Sequence, residues 1–380
     1  MALRLLHSAD WQIGRIYSQF EPDDAAALFE ARFTVVERLA ALARERSADA
    51  VLVAGDVFDA QTVSDKTIRR LFNALSGYQG AWVMLPGNHD AALAESVWTR
   101  AHRLGVVSSN VITCLEPAIR IIGNRFAVLP APLMQRHTYG DLTEWFSSAS
   151  TPEGLPRIGL AHGCVQGVLA DELDSANPIA ANRAVTAGLD YLALGDWHGS
   201  RRLDERTWYA GTPETDRFRA NDSGQALWVE VAAPGATPEV EVLQTGRYRW
   251  RQVEGRLAVS SDVDEVTRTL AGVGPEDVLQ LRVSGVCDLN GQERLRQAVE
   301  AARARLRALV LESQELRLEP TDEDIASLRA DGYVGEALAQ LRNEQTGDES
   351  DKAREALVIL ARILNGRSNT SAAANTEARV

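Results

Sequence analysis

The sequence predicts an α/β fold in which helices flank buried strands, followed by a small α+β unit and C-terminal helices. Three observations carry this. Almost purely apolar runs such as "AVLVA" at residues 50–54 look like strands buried on both faces. Segments with apolar residues three and four apart lie between the early runs, where a parallel sheet needs its crossovers. A polar residue follows each apolar run, at the strand end where open α/β sheets place their sites.

Residues 3–6 read as the first strand. Residues 23–46, "DDAAALFEARFTVVERLAALARER", read as a long helix with Asp23 or Asp24 as its cap. "DAVLVAGDVFD" gives the next strand, residues 62–75 a helix, "AWVMLPGNHD" a third strand and residues 96–104 a short helix. "FAVLPAP", "RIGLAHG" and "YLALGDWHG" repeat the design: an apolar strand broken by Gly or Pro, then a polar residue. From Trp208 the strands become shorter and more alternating, in "WYAGTP", "ALWVEVA" and "PEVEVLQTGRYRWRQ". The first domain is expected at residues 1–253. Residues 254–320 hold a strand-helix-strand module built from "VLQLRVSGV", "GQERLRQAVEAARARLRAL" and "VLESQELRL". Residues 321–366 supply helices at 322–341 and 351–364, joined by the polar "RNEQTGDES". The small, polar stretch 367–380 reads as a disordered tail.

No run of about 18 apolar residues is present, so no membrane span is expected. The opening "MALRLLHSADW" turns polar too soon for a signal peptide. Cys114, Cys164 and Cys287 are too widely spaced for a zinc site, and their odd number argues against a disulfide framework. A cytoplasmic location fits these features. Forty Lys and Arg against 53 Asp and Glu give a formal charge of −13, which taken alone argues against non-specific nucleic-acid binding. Local distribution matters more. Arg247, Arg249 and Arg251 would share one face of a strand, and Arg201, Arg202, Arg217 and Arg219 add positive charge nearby. A solvated strand edge is the plainer reading of each group.

The polar residues at the strand ends are Asp10 and Gln12, Asp56, Asn88 with His89 and Asp90, His162, and Asp196 with His198. Carboxylates, amides and imidazoles converging on one sheet edge suit a pair of divalent ions, and two ions suit in-line attack of water on a phosphoester. Taken singly, an aspartate after a strand is usually a helix cap or a turn residue. His7 sits on its strand and reads as structural. His102 and His137 lie in helical or connecting segments and do not read as ligands.

In order and spacing, "HSADWQIG", "GDVFD", "GNHD", "AHG" and "GDWH" resemble the calcineurin-like metallophosphoesterase superfamily, over about the first 250 residues. That family carries D-x-H, G-D-x-x-D, G-N-H-[DE], a later histidine and G-H-x-H. "HSADWQIG", "YAGTPE" and "FRANDSG" resemble its SbcD-like DNA repair nucleases. The resemblance implies a two-sheet sandwich flanked by helices, with residues 254–320 as a DNA-capping domain. It implies one metal held by Asp10, Gln12, Asp56 and His198, and a second held by Asp56, Asn88, His162 and Asp196. Asp56 would bridge. His89 would stabilise the scissile phosphate and protonate the leaving oxygen, with Asp90 orienting its ring. The Arg201, Arg202, Arg247, Arg249 and Arg251 side chains would line a DNA track. A homodimer through residues 66–75 and 95–104, and an SbcC-like coiled-coil ATPase held by the C-terminal helices, complete the implied assembly. The plainer reading of those C-terminal helices is that they pack on their own domain.

Two positions depart from the family pattern: Gln12 and Asp196 stand where it has histidines. Glutamine is a weaker ligand than imidazole. Asp196 adds a third negative charge, which should hold cations more tightly while damping their acidity. More oxygen donors favour Mn2+ or Mg2+ over zinc. The expected function is a metal-dependent DNA exo- or endonuclease. A small-molecule or nucleotide phosphodiesterase and a catalytically weak DNA- and ATPase-binding scaffold are the alternatives.

Overall fold

Strand and helix alternate from the start: β1 (Leu3–Ser8), α1 (Pro22–Glu45), β2 (Ala50–Ala54), α2 (Asp65–Ala74), β3 (Ala81–Leu85), α3 (Val97–Arg103) and β4 (Val111–Thr113). The chain then builds a second sheet from β5 (Arg120–Ile122), β6 (Phe126–Ala131) and β7 (Arg157–His162). The short pair β8 (Cys164–Val165) and β9 (Pro178–Ile179) and the one-turn α4 (Arg183–Thr186) lead to β10 (Tyr191–Gly195), β11 (Arg201–Arg202) and β12 (Thr207–Tyr209). It returns to the first sheet with β13 (Gln225–Val231) and β14 (Glu239–Gln244). This computed structural model describes residues 2–167, 176–327, 333–344, 352–353, 355–360 and 363–364. It divides into two units, Met1–Trp250 and Arg251–Val380.

The first unit is a sandwich. One sheet has the order β14-β13-β1-β2-β3-β4, the other β11-β12-β10-β7-β6-β5. The central pairings β1–β2–β3–β4 and β12–β10–β7–β6 are parallel. β2 shows why its run is wholly apolar. Ala50, Leu52 and Ala54 join Leu5, Val83, Ile158, Leu160 and Ala193 between the sheets. Val51 and Val53 face the other way, onto Phe33, Val36, Leu39, Ile68, Leu71 and Trp98 of the helical layer. Both faces are covered, and a one-residue slip would exchange them.

Helix boundaries follow local chemistry. Pro22 opens α1 at its first turn, where a missing N–H costs nothing. The expected Asp23 or Asp24 cap is not formed: Glu21 takes that position without a side-chain bond, and both aspartates sit in the first turn. The Ser64 hydroxyl caps α2 by accepting from Thr67 N, and Ser96 with Thr99 forms a reciprocal capping box on α3.

β15 (Arg249–Leu257) leads into the second unit. It is followed by α5 (Asp262–Ala271), β16 (Asp277–Cys287), α6 (Leu289–Arg303), β17 (Ala308–Glu312), β18 (Leu316–Leu318), α7 (Asp322–Ser327) and α8 (Tyr333–Asn343). The long β16 serves two partners, pairing β17 through Val278–Arg282 and β18 through Gly285–Cys287. The strand-helix-strand module is therefore present, with β15 and α5 as additions. Leu338 and Leu357 are buried in this unit's core, so the C-terminal helical residues do pack on their own unit. The tail at 367–380 and most of the polar stretch at 342–350 lie outside the described residues. Arg247 is not on the strand with Arg249 and Arg251. The Glu214 carboxylate accepts from the N–H groups of Arg247 and Tyr248 and holds them in the turn before β15. Among the described residues, no helix is long and apolar enough to cross a membrane.

Candidate metal centre

The C-terminal ends of β1, β2, β3, β7 and β10 bring the expected residues to one edge. Asp10 and Gln12 follow β1, Asp56 follows β2, Asn88 to Asp90 follow β3, His162 ends β7, and Asp196 and His198 follow β10. Four of these residues adopt positive φ: Asp10 (53°), Gln12 (49°), Asp56 (51°) and Asp196 (105°). Such backbone costs about 1–3 kcal/mol per residue and clusters where function imposes it. The loops hold one another in this shape. Asp10 N donates to Gly55 O and Gln12 N to Asp56 O, both at 3.0 Å. His89 N donates to Asp56 Oδ1 at 2.9 Å, and Asp196 N reaches the Asp10 carboxylate at 3.2 Å.

Asp10, Asp56 and His162 are buried and offer ligand atoms that all lie within 4.8 Å of one another. His162 Nδ1 donates to Ala54 O at 2.8 Å, which aims Nε2 inward, 3.6 Å from both Asp56 Oδ1 and Asp196 Oδ1. Burial opposes charge on this ring, but the Asp56, Asp196 and Asp10 carboxylates outweigh it and push His162 up to about 9. Burial raises Asp10 to about 6, against the pull of His198 and His162.

Two amides test whether these residues fit a cation. Asn88 points its Oδ1 at His162 Nε2, 2.9 Å away, and at the Asp56 carboxylate. Turned over, its nitrogen would donate to all three atoms at 2.9–3.2 Å. In the first orientation the oxygen can accept from a protonated His162 Nε2 or ligate a cation. Gln12 is fully buried; its Nε2 donates to Asp56 Oδ2 at 2.9 Å, and its Oε1 has no partner. A buried acceptor left unpaired costs about 1–3 kcal/mol. Three carboxylates, two amide oxygens and one imidazole form a donor set for a hard or borderline divalent ion.

Glycines make room for this crowding. A Cβ on Gly87 would overlap both Oδ1 and the backbone N of Asp56, and one on Gly55 would overlap the His162 ring at Nδ1.

The His198 side is different. His198 Nε2 is 4.0 Å from Asp10 Oδ1, and its Nδ1 is 3.2 Å from Asp216 Oδ2. Sequence reasoning missed Asp216. This buried carboxylate also meets Arg15 at 3.3 Å, Arg32 at 3.6 Å and Arg217 at 3.1 Å. Burial resists its charge, yet His198, Arg32 and Arg217 hold it well below the usual carboxylate range. Arg32 is itself fully buried and is held by the Tyr17 hydroxyl, the Thr212 hydroxyl and the Glu214 carbonyl. A signal for it existed: Arg32 interrupts the apolar "ARF" stripe of α1, and a charge there implies a buried partner.

His89 is one-third exposed, with Nε2 3.9 Å from Asp56 Oδ2. Its orientation has another source than Asp90. His89 Nδ1 donates to the Asp59 carbonyl at 2.7 Å, whereas the Asp90 carboxylate accepts from Gly87 N and Phe58 N and shapes the loop. Burial raises Asp90 to about 7. His7 is structural, in line with its place on the strand: it is buried against the Tyr191 hydroxyl at 2.9 Å. Arg201 and Arg202 form the exposed edge strand β11, and Arg202 lies over the Trp208 ring. All three cysteines are buried.

The calcineurin-like phosphoesterase pattern matches residues 3–229, more than half of the chain. The chain belongs to the calcineurin-like phosphoesterase family. It is also similar to the SbcD subunit of the nuclease SbcCD of Bacillus subtilis, at 22% identity over 335 residues, covering 78% of this chain and 83% of that protein. The SbcD subunit of the Rhodobacter capsulatus nuclease SbcCD is 29% identical over 259 residues, covering 56% of this chain and 62% of that protein. The DNA double-strand break repair protein Mre11 of Methanosarcina acetivorans is 21% identical over 308 residues, covering 75% of this chain and 46% of that protein. Membership in the phosphoesterase family gives the Asp10–Asp56–His162 group its meaning as a candidate metal triad of a hydrolase.

Proposed function

We propose that this chain is a metal-dependent phosphodiesterase that hydrolyses the DNA backbone as a nuclease subunit. One observation carries the reading: the buried Asp10, Asp56 and His162, with Asn88, Gln12 and Asp196 packed around them, lie at the strand edge of a calcineurin-like phosphoesterase. Divalent metal bound there, Mn2+ or Mg2+ by the oxygen-rich donor set, would supply Lewis acidity and lower the pKa of a coordinated water.

The chain's own residues do the rest. Asp56 turns Oδ1 toward His162 and Oδ2 toward Gln12, so it spans the two ligand sets. His89 is fixed at Nδ1 by the Asp59 carbonyl and keeps Nε2 available on a one-third exposed ring, where it can stabilise a phosphate and protonate a leaving oxygen. DNA as substrate is supported by the relatives' names and by the exposed Arg201, Arg202, Arg247, Arg249 and Arg251. The same reading gives residues 254–320 the role of a DNA cap, and includes a homodimer through α2 and α3. It also includes an SbcC-like coiled-coil ATPase at the C-terminal helical residues. Ile359 and Ile363, each about half exposed, give such a partner an apolar contact.

The test is cleavage of end-labelled single- and double-stranded DNA with Mn2+, with Mg2+ and with chelator. Cutting that requires metal and disappears in His89→Ala is expected, and Gln12→His should retain it. Cutting that persists in His89→Ala would remove the role given to that ring. Turnover of small phosphodiesters without any DNA cleavage, even with the ATPase added, would favour the small-molecule alternative.

A further inference from the structure

The two sides of the site are built differently. Asp10, Asp56 and Asp196 surround His162, whereas Arg15, Arg32 and Arg217 surround Asp216 beside His198. The Arg217 Nη2 lies 3.0 Å from His198 Nδ1 and 3.1 Å from Nε2. A guanidinium does not lose its proton in proteins, so this group is a fixed cation against the imidazole that a first ion would use. The second donor of that ion set is also altered: Gln12 replaces an imidazole with an amide whose N–H is held by Asp56 Oδ2 at 2.9 Å, leaving only a neutral oxygen to offer. A divalent ion beside His198 would share Asp10, 4.0 Å from Nε2, with the His162 side, and would meet the Arg217 guanidinium against the imidazole it would use. An ion beside His162 meets three carboxylates and the Asn88 oxygen.

Resting on the phosphodiesterase reading, we propose that the centre holds one divalent ion, at Asp10, Asp56 and His162. Arg217, backed by Arg15 across Asp216, takes the place of a second ion and receives the substrate's phosphate. The Arg217 side chain is 40% exposed, so an anion can reach it. Guanidinium suits the task because its planar fork matches phosphate oxygens.

Metal-stripped full-length protein titrated with Mn2+ by calorimetry, and examined by electron paramagnetic resonance, tests this. One tight equivalent is expected, with the hyperfine pattern of an isolated Mn2+. Two equivalents with a spin-coupled spectrum would overturn the proposal and leave the phosphodiesterase reading standing. No binding would overturn both. The Gln12→His/Arg217→Ala double variant, checked for folding by thermal melting, is expected to gain a second equivalent. If it stays at one, those two side chains are not what excludes the second ion. Inorganic phosphate as a competitive inhibitor reads the other half. Arg217→Ala should weaken inhibition about tenfold or more, as loss of a charge-assisted hydrogen bond does. Unchanged inhibition would overturn the phosphate role.

Discussion

Asp216 shows how much of the site is held by residues that touch no predicted ligand but one. It pairs with three arginines and positions His198. Removing its charge would leave the fully buried Arg32 without its ionic partner. Asp216→Asn is therefore expected to cost about 3–5 kcal/mol, read by denaturant unfolding; a loss below about 1 kcal/mol would contradict the network. The sign with pH follows from its lowered pKa. Its contribution is complete above the unfolded-state value and disappears as pH falls through the folded one, so the variant should lose less stability in acid than the wild type. Metal binding should run in a related direction. Without an ion, Asp10 titrates near 6 and His162 near 9, and a cation must displace those protons. Mn2+ affinity is expected to rise between about pH 5 and 9 with proton release, measured by calorimetry in buffers of different ionisation enthalpy; a flat profile would contradict it. At this scale the candidate ligands were legible, because each lies just after an apolar run. Asp216 was not, since its partner Arg32 lies far away in the chain and neither residue belongs to a motif.

Among the elements, the strand ends do the positioning, and their loops are built for contact closer than a side chain allows. Gly87 packs against Asp56 so tightly that a methyl group would overlap both its backbone N and its Oδ1. Gly87→Ala is expected to weaken Mn2+ binding more than tenfold by displacing Asp56. Calorimetry checks this, and retained affinity would mean that the β3 loop moves freely. The six principal strands of the sandwich were readable from their apolar runs, and α2 and α3 were read as helices at 62–75 and 96–104. β15 was read as a continuation of the first domain because its alternation resembles that of β14. Nothing local in the sequence reveals that it pairs with β16, which is a non-local choice. The helix α5 escaped notice because it is short and strongly charged, with Val263, Val266 and Leu270 as its buried positions.

Across the whole molecule, a formal charge of −13 sits on a chain whose proposed substrate is a polyanion. Binding must then rely on local arginines, and counterion release makes it salt-sensitive. DNA affinity is expected to fall steeply between about 50 and 200 mM salt, and Arg249→Ala/Arg251→Ala should reduce that slope; equal slopes would remove those arginines from the track.

The most direct measurement uses no DNA and no partner. Metal-stripped wild-type and Asp56→Asn proteins are titrated with Mn2+ while hydrolysis of bis(4-nitrophenyl) phosphate is followed. Activity that appears with the metal in the wild type, and is lost at least about a hundredfold in Asp56→Asn, is the expected result, since one metal-held carboxylate is worth several kcal/mol of transition-state stabilisation. Full metal loading without hydrolysis, or equal activity in both proteins, would contradict the assignment of this centre as the site of phosphodiester chemistry.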